Sequence, residues 1–417
     1  MGFAPPRGTA DLLPPASEAM RRLYEEAHSL AALYGYRYVE TPAFEATEVF
    51  AHTSGESSDV VRKEMYTFED KSHRSLTLRP EGTAPVVRAV VTSGASLPFK
   101  GYYVEAMWRY GRPQKGRLRE FRQLGVEVLG TELPGADVET IVLGAEYLHR
   151  AGLRDVRLEV NSIGDASCRP AYRETLLAYL EAKRGRLQDG HKERYADNPL
   201  RVLDCRDDAC RDVAREAPRI RDHLCDGCRE HFDGVLRGLD EAGLAWERVD
   251  TLVRGLDYYV RTAYEYVSPA LPEGQASLGG GGRYDGLAEL LGLPATPGVG
   301  FALGLDRILL AIREEGGGAA ETAGGVFVVT MGAEARRSGE ELVRELRAAG
   351  VPAQIAFDER SLKGQLRTAD RAGAGFVAIL GERELAEGTV TLRRLADGVE
   401  EIVPRVDVAS VTTRSDT

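Results

Sequence analysis

Gly101-Tyr-Tyr-Val-Glu-Ala-Met-Trp-Arg109-Tyr-Gly-Arg112-Pro-Gln114-Lys-Gly-Arg117-Leu-Arg-Glu-Phe-Arg122-Gln123-Leu-Gly-Val-Glu127-Val-Leu129 is the stretch whose reading decides the fold. Gly101–Arg109 reads as a strand, Tyr110–Glu120 as a loop rich in Gly, Pro and Arg, and Phe121–Leu129 as a second strand. Two strands joined by a connection without a helix imply an antiparallel pair. Arg109 stands where the first strand runs into the loop. A planar guanidinium held there suits bidentate contact with a phosphate or a carboxylate. Gln123 and Glu127 are an even number of residues apart, so both side chains share one face of the returning strand. A plain cross-strand ion pair is the ordinary alternative for such an arginine and carboxylate.

The loop also reverses the charge of the chain. The whole sequence carries a net charge of −11 and a pI near 5.4. An acidic protein lacks the general basic footprint of a phosphate-backbone binder. Yet Arg109, Arg112, Lys115, Arg117, Arg119 and Arg122 fall within fourteen residues that hold a single acid, Glu120. Such a run is either a solvated loop or a local anion site. With 417 residues the chain is long enough for two or three domains and a large core. No apolar segment approaches membrane-spanning length, and the start shows no secretory h-region. Five cysteines point to a reduced, cytoplasmic setting.

Outward from the hairpin, Ala16, Met20, Leu23, Ala27 and Leu30 recur at helical spacing, with Ser17 as the expected cap and Gly35 as the stop. Strands are predicted at 37–40, 75–79, 156–161, 256–267 and 299–303, and helices at 83–93, 136–151 and 305–315. Residues from about 165 to 235 are polar, helical and cysteine-bearing, and read as an insertion. A Gly/Ala stretch at 316–325 reads as a linker. Beyond it, strands at 326–330, 353–357 and 375–380 alternate with helices at 333–349 and 361–372. That alternation predicts a small α/β domain, 326–417, with a mainly parallel sheet. The polar tail after Val406 reads as frayed.

Four further constellations carry chemistry. Arg79-Pro80-Glu81-Gly82-Thr83 turns a strand into a helix; Thr83 as a cap, or Glu81 as an ammonium acceptor, both fit. Arg254-Gly255-Leu256-Asp257-Tyr258-Tyr259 couples a guanidinium to two tyrosines. Gly279–Gly282, followed by Arg283-Tyr284-Asp285-Gly286, permits very close backbone approach and lacks the Lys-Ser/Thr ending of a P-loop. Gly304-Leu305-Asp306-Arg307 opens a helix from which Arg307 could reach a phosphate.

In this order the motifs resemble the histidyl-tRNA synthetases, a class II aminoacyl-tRNA synthetase family, over essentially the whole chain. The stretch around Thr41-Pro42 is similar to the family's first motif, at a dimer interface, Arg109–Glu127 to its second and Gly304–Arg307 to its third. Arg254–Thr262 and Gly280–Leu287 are similar to the two histidine signatures. Leu76–Thr83, Asn161–Gly164 and Arg360–Gln365 fit too. Glutamate, tyrosine, histidine and glutamate are usual where Gly111, Leu118, Arg122 and Asp306 stand.

The resemblance implies an α+β catalytic core, residues 1–320, with a mostly antiparallel sheet and a C-terminal anticodon-binding domain. It implies ATP-dependent ligation of L-histidine to tRNA(His) through an adenylate by a cytoplasmic homodimer, with Mg²⁺. By resemblance Arg109 and Arg254 act at the α-phosphate, and Arg117 and Arg307 bind the outer phosphates. Glu81, Thr83 and Gln123 take the substrate ammonium. Glu127 and Tyr259 meet the imidazole nitrogens, with Tyr258 and Tyr284 lining the pocket. Arg112 and Gln114 are candidates for the tRNA acceptor end. Lys363 and Arg367, with Arg371, form a basic helical stripe facing the anticodon region or merely solvent. Cys205, Cys210, Cys225 and Cys228 have the spacing of a four-thiolate zinc site or are small core residues; no metal ligand is assigned among them. A regulatory paralogue without the C-terminal domain and a bare RNA-binding module are the competing readings.

Overall fold

In a computed structural model, the described residues are 3–53, 64–193, 195–196, 199–203, 205, 207–253, 256, 258–317, 324–357 and 361–414. Arg254, Gly255, Asp257, Arg360 and the linker residues 318–323 lie outside them. The chain divides into two compact units, residues 1–317 and 318–417.

In the first unit the strands are β1 (Arg37–Tyr38), β2 (Phe44–Ala46), β3 (Tyr66–Glu69), β4 (Ser75–Leu78), β5 (Phe99–Trp108), β6 (Glu120–Leu129), β7 (Arg157–Ser162), β8 (Glu247–Arg248), β9 (Val260–Val267), β10 (Ser277–Arg283) and β11 (Gly298–Gly304). Eight of them form one sheet in the order β1-β5-β6-β11-β10-β9-β7-β8, and β2-β4-β3 form a small second sheet. The large sheet is antiparallel except at its two edges, where β1 runs parallel to β5 and β8 to β7. The β5–β6 hairpin pairs Phe99 with Leu129 through Trp108 with Glu120, and β6 continues onto β11. The four-glycine run is a strand, β10, between β9 and β11. A side-chain-free stretch has no apolar alternation, which is why its strand was not legible.

Alternation sorts the faces of this sheet. Leu124, Val126 and Val128 of β6 and Val299, Phe301 and Leu303 of β11 are buried in one apolar cluster. That cluster includes the helices Ala16–Leu33, Pro134–Arg150, Asp226–Glu241 and Leu305–Glu314. The helix Asp226–Glu241 runs past the expected end of the insertion and packs on Pro134–Arg150. Ala16–Leu33 starts at Pro15 without a side-chain cap, so Ser17 lies inside its first turn.

In the second unit, β12 (Gly324–Thr330), β13 (Ala353–Ile355), β14 (Ala374–Leu380), β15 (Thr389–Arg394) and β16 (Glu400–Pro404) form a sheet ordered β13-β12-β14-β15-β16. The first three are parallel, and β15 and β16 add antiparallel. The helix Leu362–Arg371 buries Gln365 and Ala369. The Gln365 amide accepts from Thr330 N at 3.1 Å and donates to Thr330 O at 2.8 Å, pinning the helix to the end of β12. The tail is not frayed throughout: Val408–Arg414 is helical, with Val408 fully buried in the core. Two or three apolar side chains in a short polar segment suffice for docking, too few to show as periodicity.

Candidate active site

The second face of the large sheet carries the opposite chemistry. Gln123, Gly125 and Glu127 of β6 pair with Gly304, Ala302 and Gly300 of β11, and these with Gly280 and Gly282 of β10. Small residues leave a hollow over the central strands. A cavity of about 380 Å³ opens there, a size ordinary for a small-molecule site. Its floor includes Gln123, Gly280, Ala302 and Gly304, and its walls include Glu81, Thr83, Tyr258 and Tyr259. Its basic wall carries Arg109, Gln114, Arg117 and Arg307. Arg112 is exposed and not part of the lining.

Most of the polar groups around the cavity are anchored. Glu81 accepts from Thr83 N at 2.6 Å and Ala84 N at 3.1 Å, so Glu81 caps the helix Thr83–Thr92. Thr83 does not cap; its hydroxyl donates to Glu127 Oε1 at 2.8 Å. Arg109 donates from Nε to Pro80 O at 2.8 Å and lies over the Phe121 ring, which fixes the plane of its fork. Arg307 donates to Gly116 O and Ser277 O, joining helix, loop and β10. Arg117 pairs with Glu64. Arg79 pairs with Glu105 at 2.7 Å, and both bond Thr41. This links the Thr41-Pro42 stretch to the strand that leads into Glu81.

Glu127 and Tyr284 lie behind the cavity wall rather than on it. Glu127 is fully buried and accepts from Thr83, from Tyr103 at 3.3 Å and from Tyr284. Burial pushes its carboxyl up to about 8, against the pull of those donors. Once ionised, this carboxylate has about four acceptor positions, so one remains for a ligand donor. Tyr103 was not singled out in the sequence. Its signal was parity: it pairs with Gly125, and a Cβ on Gly125 would stand 1.9 Å from the Tyr103 ring. Gly300 is required for the same reason, since its Cβ would lie 2.1 Å from Glu127 Oε2. The Tyr258 and Tyr259 rings pack with centroids 4.7 Å apart and planes tilted by 42°, and burial raises the Tyr258 hydroxyl well above the usual phenol range.

Gln123 holds an orphan. Its amide oxygen is buried and has no hydrogen-bond partner among the described residues. Such an acceptor is costly in a folded protein unless a ligand completes it.

Two departures from the usual motif residues meet each other. Asp306 accepts from the backbone N–H of Arg122 at 2.7 Å and from its guanidinium at 3.1 Å, and both line the cavity. The cysteines do not meet as expected. Cys225 and Cys228 gather with Cys168 and Asp165, whereas Cys205 and Cys210 gather with His191. In the second unit Lys363, Arg367 and Arg371 are exposed on one face of their helix.

A family profile described as histidyl-tRNA synthetase matches residues 8–308, and an anticodon binding domain profile matches 325–414. The chain belongs to the histidyl-tRNA synthetase family. It is an enzyme of the aminoacyl-tRNA ligase class with the class II synthetase fold. A histidine–tRNA ligase of Moorella thermoacetica is 47% identical over 403 residues, 96% of this chain and 95% of that one. One from Halothermothrix orenii is 44% identical over 402 residues, 95% of this chain and 96% of its own. The crystal structure of apo S. aureus histidyl-tRNA synthetase superimposes with a TM-score of 0.80 at 35% identity, covering 99% of this chain and 100% of that one. Coverage through the C-terminal unit sets the chain apart from the shortened regulatory reading.

Proposed function

We propose that this cavity activates L-histidine with ATP and that the adenylate is then transferred to tRNA(His). The observation that carries the reading is the Gln123 carbonyl, a buried acceptor with no donor among the described residues, in the cavity that Glu81 also lines. An α-ammonium supplies three donors to Glu81, Thr83 and Gln123. The imidazole then extends toward Tyr258 and Tyr259, one ring nitrogen donating to the remaining acceptor position of Glu127 and the other meeting Tyr259. Tyr284 holds the Glu127 carboxyl from behind. A pocket that bonds both nitrogens rejects side chains that leave its buried groups unpaired.

Activation joins two anions, the histidine carboxylate and the α-phosphate of ATP. Positive charge at that junction is the physical need. Arg109, already oriented by Pro80 and Phe121, meets the α-phosphate; Arg254 joins it on the strength of the motif resemblance alone. Arg117 and Arg307 serve the outer phosphates. The carboxylates on the cavity wall, Glu81 and Asp306, are engaged by the helix N-terminus and by Arg122. Magnesium, when bound with the nucleotide, would neutralise its phosphate charge alongside Arg117 and Arg307. In the transfer step the tRNA ribose hydroxyl attacks the adenylate carbonyl, with a phosphate oxygen taking the proton.

Arg112 and Gln114, on the exposed loop, are assigned to the acceptor end of tRNA. Residues 1–320 form the catalytic part, with the insertion near 165–235, and 326–417 the anticodon-reading part, where Lys363 and Arg367 meet phosphates. A homodimer in the cytoplasm completes the proposal; the exposed Tyr38, Phe44 and Phe68 support an interface near the first motif. The test is histidine-dependent ATP–pyrophosphate exchange with Gln123→Leu. Loss of a hydrogen bond to a charged group, about 1.5–3 kcal/mol, raises KM for histidine roughly ten- to hundredfold. An unchanged KM contradicts the placement of the ammonium.

A further inference from the structure

The insertion is closed at its base by a cluster that the catalytic reading leaves unused. Asp165 and Cys168 stand where the chain leaves β7 and enters the insertion. Cys225 and Cys228 stand where it returns, at the start of the helix Asp226–Glu241. Entry and exit thus carry the same spacing, Asp-x2-Cys and Cys-x2-Cys, the two-residue separation of zinc knuckles. The four donor atoms lie within 4.8 Å of one another.

The edges of this cluster have the dimensions of a tetrahedral metal shell. A zinc–sulfur bond of about 2.3 Å places the sulfurs of a tetrahedral site about 3.8 Å apart, and a carboxylate oxygen about 3.5 Å from each sulfur. Cys168 Sγ and Cys228 Sγ are 3.8 Å apart. Asp165 Oδ1 is 3.6 Å from Cys168 Sγ and 3.9 Å from Cys225 Sγ. The cysteines are free thiols. Two backbone features shape the entry knuckle. Asp165 N donates to Cys168 Sγ at 3.3 Å, a bond that favours a thiolate. Gly164 has φ of +64°, and a Cβ there would sit 2.6 Å from the same sulfur. Ser167 N donates to Asp165 Oδ1, and Arg261 Nε lies 3.7 Å from Asp165 Oδ2. Three thiolates and a carboxylate around a divalent cation leave net negative charge, which Arg261 offsets.

We infer that Asp165, Cys168, Cys225 and Cys228 bind a structural zinc ion that clips the two ends of the insertion together. All four coordination positions come from protein, so no open position remains for water or substrate, as in structural rather than catalytic zinc sites. The clip closes a loop of more than fifty residues at its base, where a cross-link restricts the unfolded chain most. It also adjoins the histidine pocket. Arg169, the next residue after Cys168, donates to Ile163 O and to Tyr259 O, so the metal steadies the segment that carries Tyr258 and Tyr259. Sequence spacing alone misgrouped these cysteines, because it linked Cys205 and Cys210 to the wrong pair; the sign was the aspartate three residues before Cys168.

The test is metal analysis of the full-length protein purified without chelator, beside Cys225→Ser/Cys228→Ser and Asp165→Ala. Wild type is expected to hold zinc, and the double-cysteine variant to hold one equivalent less per chain. Exchange of wild type into Co²⁺ is expected to give the visible d–d bands of tetrahedral cobalt and a near-ultraviolet thiolate band. Chelation is expected to lower Tm and to expose the insertion to protease, since the metal binds the folded chain. Absence of zinc from wild type after growth with added zinc, or an unaltered metal content in the soluble double-cysteine variant, overturns the proposal. Should that variant fail to fold, a Co²⁺ spectrum lacking both bands overturns it on wild type alone.

Discussion

The two faces of β6 and β11 are made from alternate residues of the same two strands, yet they are built to opposite ends. On the helix side, Leu124, Val126, Val128, Val299, Phe301 and Leu303 are buried in the main core. Full burial of such side chains stabilises by about 1.5–3 kcal/mol each. On the other side the same strands present Gln123, Gly125, Glu127, Gly300, Ala302 and Gly304. That face buries a carboxyl pushed up to about 8 and an amide oxygen without a partner among the described residues. The difference teaches that stability and function are separated by one pleat. The helix face supplies rigidity, and the cavity face gives up packing to leave room and unsatisfied polar atoms for ligands.

Substitutions on the two faces should therefore fail differently. The largest effect is expected for Phe301→Ala, on the helix face: a loss of about 3–5 kcal/mol in urea unfolding, with kcat/KM of the folded fraction within about twofold of wild type. Gly300→Ala, one residue away on the cavity face, is expected to cost about 1–3 kcal/mol, because the methyl meets Glu127 Oε2 and Val126 O. Its signature is a rise in KM for histidine larger than that stability loss explains; a normal KM would mean that Glu127 does not shape the pocket.

Glu127→Gln sharpens the comparison through pH. The native carboxyl titrates near 8 and the unfolded one near the ordinary carboxylate value. Between those values the native state holds a proton that the unfolded state lacks, so this group's contribution to stability falls as pH rises. The variant should remove a slope of up to about 1.4 kcal/mol per pH unit from unfolding measured between pH 6 and 8. An unaltered slope would place the Glu127 titration outside this window.

The smallest effect concerns Arg122 and Asp306, which replace the usual histidine and glutamate and bond each other. Their partly exposed ion pair should be worth about 0.5–1 kcal/mol. Arg122→His and Asp306→Glu alone are each expected to raise KM for ATP a few-fold. The double variant should return to within about twofold of wild type, as coupled neighbours do. Additive losses would show that the two departures arose independently.

Much of this division was legible in the sequence. The even spacing of Gln123 and Glu127 placed both on one face, and the hairpin and its basic loop followed from composition. What was not legible had physical reasons. Glycines 279–282 form a strand without side chains to signal it. Glu81, rather than Thr83, caps its helix, a choice between two adequate acceptors that only backbone geometry makes. The burial of Glu127 behind the cavity wall was not legible, because Thr83, Tyr103 and Tyr284 converge on it from three elements far apart in sequence. Arg283, read as part of a pocket signature, is fully buried against Asp137 and Asp285 and anchors β10 to the helix Pro134–Arg150.

The most direct measurement is pyrophosphate exchange with wild-type protein offered histidine and, separately, histidine methylated at one or the other ring nitrogen. In the proposed placement both ring nitrogens are bonded, one toward Glu127 and one by Tyr259, and neither methyl group is admitted, so kcat/KM should fall by at least about a hundredfold for both analogues, the range seen when buried polar groups lose their partners. Exchange with either methylated isomer at a rate close to that of histidine would contradict the account.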